Sequence, residues 1–123
     1  MSRNLEQLQA DAQSVVEETL AALPLPVRQR AASLPVTYDA RPQQWLLDDG
    51  YDSDLLGLFV GSAIAEAEDC PLPPQIILFI ENIWDFAEED SEIFREEIRT
   101  TYLHELGHYL GLDEIDLEER GLD

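Results

Sequence analysis

The amino-acid sequence predicts an α+β fold, in which helices pack on a small mixed β-sheet. Apolar residues recur at helical spacing over residues 5–23, and a second long helical pattern covers residues 92–110. Between them, a short apolar and β-branched run at residues 75–80 is the strongest strand signal in the chain. With 123 residues, of which 45% are hydrophobic, the chain is expected to form a single domain, residues 1–123, around one core.

The elements before the last helix follow from apolar spacing and from the residues that separate them. Pro24 and Pro26 are expected to end the first helix. Pro42 is expected to open a helical turn, because proline suits the first position of a helix. The other predicted segments are a helical stretch at residues 27–32, a strand at 34–38, a helical turn at 45–47 and strands at 55–61 and 75–80.

The last long helix is predicted to begin after Asp90 or Ser91, either of which can cap it, and to end at Gly111. Asp113 can then cap a final short helix over residues 117–120. The sequence leaves the order of the strands open. The predicted buried stripe of the long helix consists of Ile93, Phe94, Ile98, Leu103, Leu106 and Leu110.

The charge of the chain narrows its range of partners. Its 27 acidic and 7 basic residues give a formal charge of -20, which repels phosphate backbones and anionic lipid and so disfavours nucleic acid and membrane surfaces. The same charge attracts metal ions and basic peptides, although its simplest role is to keep a protein soluble.

The single cysteine, Cys70, cannot form an internal disulfide, and residues 1–10 lack the apolar run of a signal peptide. We therefore expect a cytoplasmic protein with no membrane span.

The candidate chemistry is concentrated in one motif, His104-Glu105-Leu106-Gly107-His108, which contains both histidines of the chain. Residues four positions apart lie on one face of a helix, so both imidazoles can point at one tetrahedral zinc ion. Glu105 lies beside that face. There it can act as general base, accepting a proton from the attacking water and delivering it to a leaving amine. The alternative is a helix that carries two histidines without a metal.

The third metal ligand is expected just after this helix. Gly111 allows the chain to turn back, so that Glu114 can approach the metal from outside the helix. Zinc accepts either of the two neighbouring carboxylates. Glu114 is the preferred ligand, and Asp113 is its rival because Asp113 also suits the cap of the next helix. Within the motif, Gly107 costs roughly 1 kcal/mol in a helix, which indicates close packing against a strand or room beside the metal.

Four stretches carry a resemblance to a known family, and they are residues 16–24, 55–61, 74–79 and 96–111. The last of them contains the motif and is the specific one. The chain resembles the short bacterial metallopeptidase-family proteins with a minimal zincin-like fold, formerly described as a domain of unknown function. The resemblance covers nearly the whole chain. It implies a zincin-like α+β fold, with an N-terminal helix and a long C-terminal active-site helix packed on the sheet. It also implies a zinc site at His104, Glu105, His108 and a nearby carboxylate.

Three functions are compatible with these features. The first is a zinc metallopeptidase that hydrolyses peptides lying along an open sheet edge. The second is a metal-stabilised module that binds peptides or proteins with little or no turnover, and the intact Glu105 argues against it. The third is an acidic mimic for a basic partner, which explains the charge but not the motif. For oxyanion stabilisation the sequence offers Tyr51, Tyr102, Tyr109 or an arginine without choosing, and it does not indicate an oligomeric state.

Overall fold

The computed structural model describes residues 4–60 and 75–109. The helices in these ranges are α1 (Leu5–Ala21), α2 (Leu25–Ala32), α3 (Gln44–Asp48), α4 (Ile80–Phe86) and α5 (Ser91–Tyr109). The strands are β1 (Val36–Asp39), β2 (Gly57–Val60) and β3 (Gln75–Phe79). None of the described helices is long and apolar enough to span a membrane.

The start of α1 is fixed by a reciprocal capping box. The side-chain oxygen of Asn4 accepts a hydrogen bond from the Gln7 amide at 2.8 Å, and the side chain of Gln7 accepts one from the Asn4 amide at 3.2 Å. Two otherwise unpaired helix N–H groups are satisfied in this way. The helix ends at Ala21, ahead of Pro24, as the sequence predicts. Its buried face packs on α5.

The three described strands form one mixed sheet, in the order β1-β3-β2. β1 runs parallel to β3, with Val36 opposite Ile76. β2 runs antiparallel to β3, with Leu58 opposite Ile77. The prediction of a small mixed sheet is therefore confirmed, and the strand order that the sequence left open is settled for these strands.

The central strand, β3, contributes to apolar clusters on both of its faces. All five of its residues are buried. Ile76 and Leu78 belong to the larger cluster, which also contains the buried faces of α1, α4 and α5. Ile77 and Phe79 belong to a smaller cluster with Leu46 of α3. Burial on both faces explains why this strand appears as a continuous apolar run rather than an alternating one.

Some details of the predicted elements differ in the structure, and one choice that the sequence left open is decided. Ile80, predicted as the end of a strand, begins α4, a helix that the sequence analysis did not predict. Ile93, predicted in the buried stripe of the last helix, is 42% exposed because it lies in the first turn on the outer side. Pro42 lies before Gln43, the N-cap of α3, and so does not occupy the first helical position. Asp90 caps α5, since its carboxylate accepts from the Ile93 amide at 3.0 Å, whereas Ser91 is the first residue of the helix.

Candidate metal centre and the cleft beside it

The two histidines of the motif lie one turn apart near the end of α5. Their Nε2 atoms are 3.2 Å apart. The rings are nearly perpendicular, at 85°, with centroids separated by 4.7 Å. The sequence-predicted pair is thus brought together, with both side chains directed at one point.

The separation of these nitrogens provides a test of whether a zinc ion fits. Zinc binds imidazole nitrogen at about 2.0–2.1 Å in a tetrahedral arrangement, so two such nitrogens lie about 3.3 Å apart. The observed 3.2 Å between the Nε2 atoms agrees with this value. The same distance also allows a hydrogen bond between the rings when one Nε2 carries a proton. The geometry of the histidine pair is therefore compatible both with a bound zinc ion and with a hydrogen bond between the two rings.

Glu105 lies beside the histidine pair. Each of His104, Glu105 and His108 offers one potential ligand atom, and these three atoms lie within 4.8 Å of one another. The Oε1 atom of Glu105 accepts a hydrogen bond from the main-chain N–H of Phe59 at 3.0 Å. Burial raises the pKa of Glu105, and this effect is opposed by His108, His104 and the Phe59 hydrogen bond. A raised pKa brings a carboxylate closer to the value that suits a general base near neutral pH.

Phe59 belongs to β2, which is an edge strand of the described sheet. The amide of Phe79 donates to the carbonyl of Leu56 at 2.9 Å, and bonding positions alternate along an antiparallel pair. The backbone groups of Gly57 and Phe59 therefore face away from β3. Glu105 binds one of these outward amides, so the motif helix lies against the outer side of β2 in the described sheet.

A cleft of about 310 Å³ lies between this edge strand and α5. One wall is formed by Leu55, Leu56 and Gly57, and the other by residues of α5 that include Glu97, Thr100 and His104. The cleft ends at the candidate metal centre, since Glu105 also lines it. It is therefore placed to hold part of a ligand whose remainder reaches the histidine pair.

The family model described as zincin-like metallopeptidase matches residues 31–122. The chain belongs to the zincin-like metallopeptidases. A search of the curated proteins gives no match. The match covers most of the chain and includes the edge strand, the motif helix and the segment that follows it, so the zincin-like fold predicted from the sequence is confirmed.

The zincin-like site of this chain has a supporting residue that sequence reasoning did not find. Asn82 of α4 is 4% exposed, and its amide donates to the carbonyls of Ser53 at 2.8 Å and Leu55 at 2.9 Å. Its side-chain oxygen accepts from Arg41 at 2.5 Å. Asn82 thus holds the segment that enters β2. The only signal in the sequence is a polar residue within an apolar run, which does not reveal its partners.

The other sequence-predicted residues of the zincin-like site have different outcomes. Gly107 is buried in α5. Glu114, its rival Asp113, the helix end at Gly111 and the short helix at residues 117–120 lie outside the described residues.

The candidates for oxyanion stabilisation differ in their access to the site. Tyr102 is 1% exposed within the core, and burial raises its pKa, so its hydroxyl is not available to a substrate. Tyr109 is partly buried, with its ring edge-to-face with Phe59 at 5.6 Å, which keeps it next to the edge strand. Arg30 lies over the same tyrosine, 6.0 Å from the ring centroid. Tyr51 packs against the smaller cluster on the other face of the sheet.

Proposed function

We propose that this protein is a zinc-dependent peptidase. His104, His108 and Glu114 would hold the metal, and Glu105 would act as general base. The observation that carries the proposal is the convergence of the two Nε2 atoms, 3.2 Å apart, with Glu105 beside them and bound to the Phe59 amide of β2. Membership of the zincin-like metallopeptidases supports this reading.

The metal ligands and the general base have separate roles in the proposed reaction. Two imidazoles and one carboxylate are a ligand set found in catalytic zinc sites, which keep one position open. Zinc bound there would polarise the substrate carbonyl and lower the pKa of its water to about 7. Glu105 accepts the proton of the attacking water and delivers it to the leaving nitrogen. The Phe59 amide fixes the carboxylate in position through Oε1, so little reorganisation is needed for proton transfer.

The substrate suited to this site is an extended peptide. The outward backbone groups of Gly57 and the outward carbonyl of Phe59 can pair with an added strand, a common way to hold an extended chain, while the Phe59 amide stays bound to Glu105. Such a strand lies along the cleft and passes the histidine pair.

Nucleic acid and membrane surfaces are poor partners for a chain with a formal charge of -20. A gel shift with DNA or RNA at low salt, where electrostatic attraction is strongest, would contradict this.

A second function is favoured by one specific observation. The hydrogen bond from Phe59 to Glu105 also joins α5 to β2, so Glu105 has a structural role that needs no catalysis. On that reading the chain is a metal-stabilised module that binds peptides or proteins without cleaving them.

Substitution of Glu105 by glutamine separates the two functions. Glutamine keeps an oxygen that can accept from Phe59, but it cannot take a proton from water. We expect Glu105→Gln to retain about one zinc per chain while cleavage of a peptide library falls by roughly 100-fold or more, the scale of a lost general base. Glu96→Gln, which makes the same charge change at an exposed position nine residues earlier in α5, serves as the control. Equal cleavage by Glu105→Gln and the unmutated protein would reject Glu105 as the base. Firm zinc binding without any cleavage by the unmutated protein would favour the binding module.

A further inference from the structure

The cleft beside the candidate metal centre has an uneven distribution of apolar and charged groups. Leu55 and Leu56 supply an apolar wall on the side of the edge strand. On the side of α5, Glu97 places a carboxylate at the end farthest from the histidines. Glu97 precedes His104 by seven positions, about 10.5 Å along a helix. A ligand group in the cleft would therefore meet apolar surface along its length and a negative charge beyond it.

The charge of Glu97 is available to such a group. Glu97 is half-buried, and Thr100 and Thr101, one turn further along the helix, are uncharged. Within residues 4–60 and 75–109, Glu97 takes part in none of the ion pairs, which join Arg41 and Arg95 to Glu81, Asp85, Asp11 and Glu18. The other charged or titratable groups along the described cleft are His104 and Glu105, at the metal end.

We propose that this cleft is a specificity subsite for a lysine or arginine side chain of the substrate peptide, with Glu97 as the residue that pairs with its cationic head. Lysine and arginine bury their methylene stems along apolar surface while the charged head reaches a polar partner, which matches the leucine wall and the distant carboxylate. The large negative charge of the chain also raises the local concentration of basic peptides. This inference rests on the proposed peptidase function, because the subsite selects residues of a peptide held at the metal centre.

A binding measurement tests the subsite without relying on turnover. The zinc-loaded Glu105→Gln protein is titrated by calorimetry with two series of short peptides, in which lysine or norleucine is moved through each position. Norleucine has an apolar chain of similar length without the cation. At one position, lysine should bind at least about 5-fold more tightly than norleucine at low salt, and the difference should shrink as salt screens the pair.

Two further variants assign the preference to Glu97. Adding Glu97→Gln should reduce the difference between lysine and norleucine to less than about twofold, and Glu97→Lys should favour a glutamate peptide instead. Adding Glu96→Gln, an equal change of net charge at the neighbouring residue, which does not line this cleft, should leave the preference intact. The proposal is overturned if lysine and norleucine bind equally, if neither binds measurably, or if Glu97→Gln and Glu96→Gln have the same effect.

The outcome for the subsite can be distinguished from that for the peptidase. If the unmutated protein cleaves peptides with no preference for a basic residue at any position, the subsite is rejected while the peptidase function stands. If no peptide is cleaved but the Glu97-dependent binding preference is present, the subsite stands as a basic-peptide site and the peptidase function is rejected.

Discussion

Gly57 of the edge strand lies so close to Thr101 of the motif helix that a Cβ atom on Gly57 would be 2.5 Å from Thr101 Cγ2. The same Cβ would touch the Ile77 carbonyl and Leu78 Cδ2, both at 3.4 Å. Thr101 is 8% exposed, so its branched side chain has little space to move. The absence of a side chain at Gly57 therefore lets β2 approach α5 closely enough for Glu105 to reach the Phe59 amide.

Replacing Gly57 by alanine should separate the edge strand from the motif helix. We expect Gly57→Ala to lower the free energy of unfolding by about 1–3 kcal/mol, the usual range for overpacking a buried contact. Peptide cleavage should fall as well, because the Phe59 amide would no longer hold Glu105. Urea denaturation and cleavage assays measure the two effects.

A second substitution provides the control for this prediction. Thr101→Ser removes the Cγ2 atom that the new Cβ would strike. It should be mildly destabilising alone, but it should restore stability in the Gly57→Ala background, which is a non-additive result typical of residues in contact. Additive losses in the double variant would show that the clash between these two positions is not the cause.

The zinc site depends on both histidines. Each Nε2 atom would be one of only three or four zinc ligands. His104→Ala and His108→Ala should therefore each abolish tight zinc binding. In the unmutated protein we expect about one zinc ion per chain. Metal analysis after chelation and reloading measures this, with Glu96→Gln as a control at an exposed position of the same helix. Full zinc stoichiometry and affinity in either histidine variant would show that the metal binds elsewhere.

The choice between the two carboxylates after the helix can be made by titration. Glu114→Ala should weaken zinc binding more than Asp113→Ala, because Glu114 follows Gly111 by three residues, where the returning chain can bring its carboxylate to the metal. Calorimetry on both variants compares the affinities. A larger loss for Asp113→Ala would assign the ligand role to Asp113.

The metal-binding motif could be predicted from the sequence because its geometry is local. His104 and His108 converge through the helical repeat alone, and the capping of α5 by Asp90 is likewise set within one turn. The position of Glu105 against Phe59 is different, because it depends on how a strand 46 residues away packs on the helix. The closeness of Gly57 to Thr101 depends on the same long-range contact.

The helix missed in the sequence shows a second limit. α4 ends in a pair of hydrogen bonds, from Glu88 to the Asp85 carbonyl and from Glu89 to the Trp84 carbonyl, both 3.0 Å, as in the motif that usually places glycine after a helix. Here Glu88 and Glu89 adopt positive φ angles of 56° and 60°. No glycine marks the C-terminal end of α4, and at its other end β3 continues directly into the helix. The sequence therefore gives no boundary signal on either side of α4.

Asn82 offers a test of how the edge strand is held in place. Its amide group satisfies the Ser53 and Leu55 carbonyls just before β2, whereas its oxygen is bound to Arg41, whose side chain is 51% exposed. We expect Asn82→Ala to cost about 1–3 kcal/mol of unfolding free energy, the range for losing two hydrogen bonds of a buried group. Arg41→Gln should cost less than about 1 kcal/mol, since it removes mainly exposed pairs.

Because Asn82 acts on the strand and not on the metal, Asn82→Ala should keep full zinc binding while the Phe59 amide exchanges hydrogen faster, as local opening of β2 predicts. Urea denaturation, metal analysis and hydrogen exchange followed by NMR measure the three quantities. Unchanged exchange at Phe59 together with an equal loss of stability in both variants would mean that Asn82 does not position the edge strand.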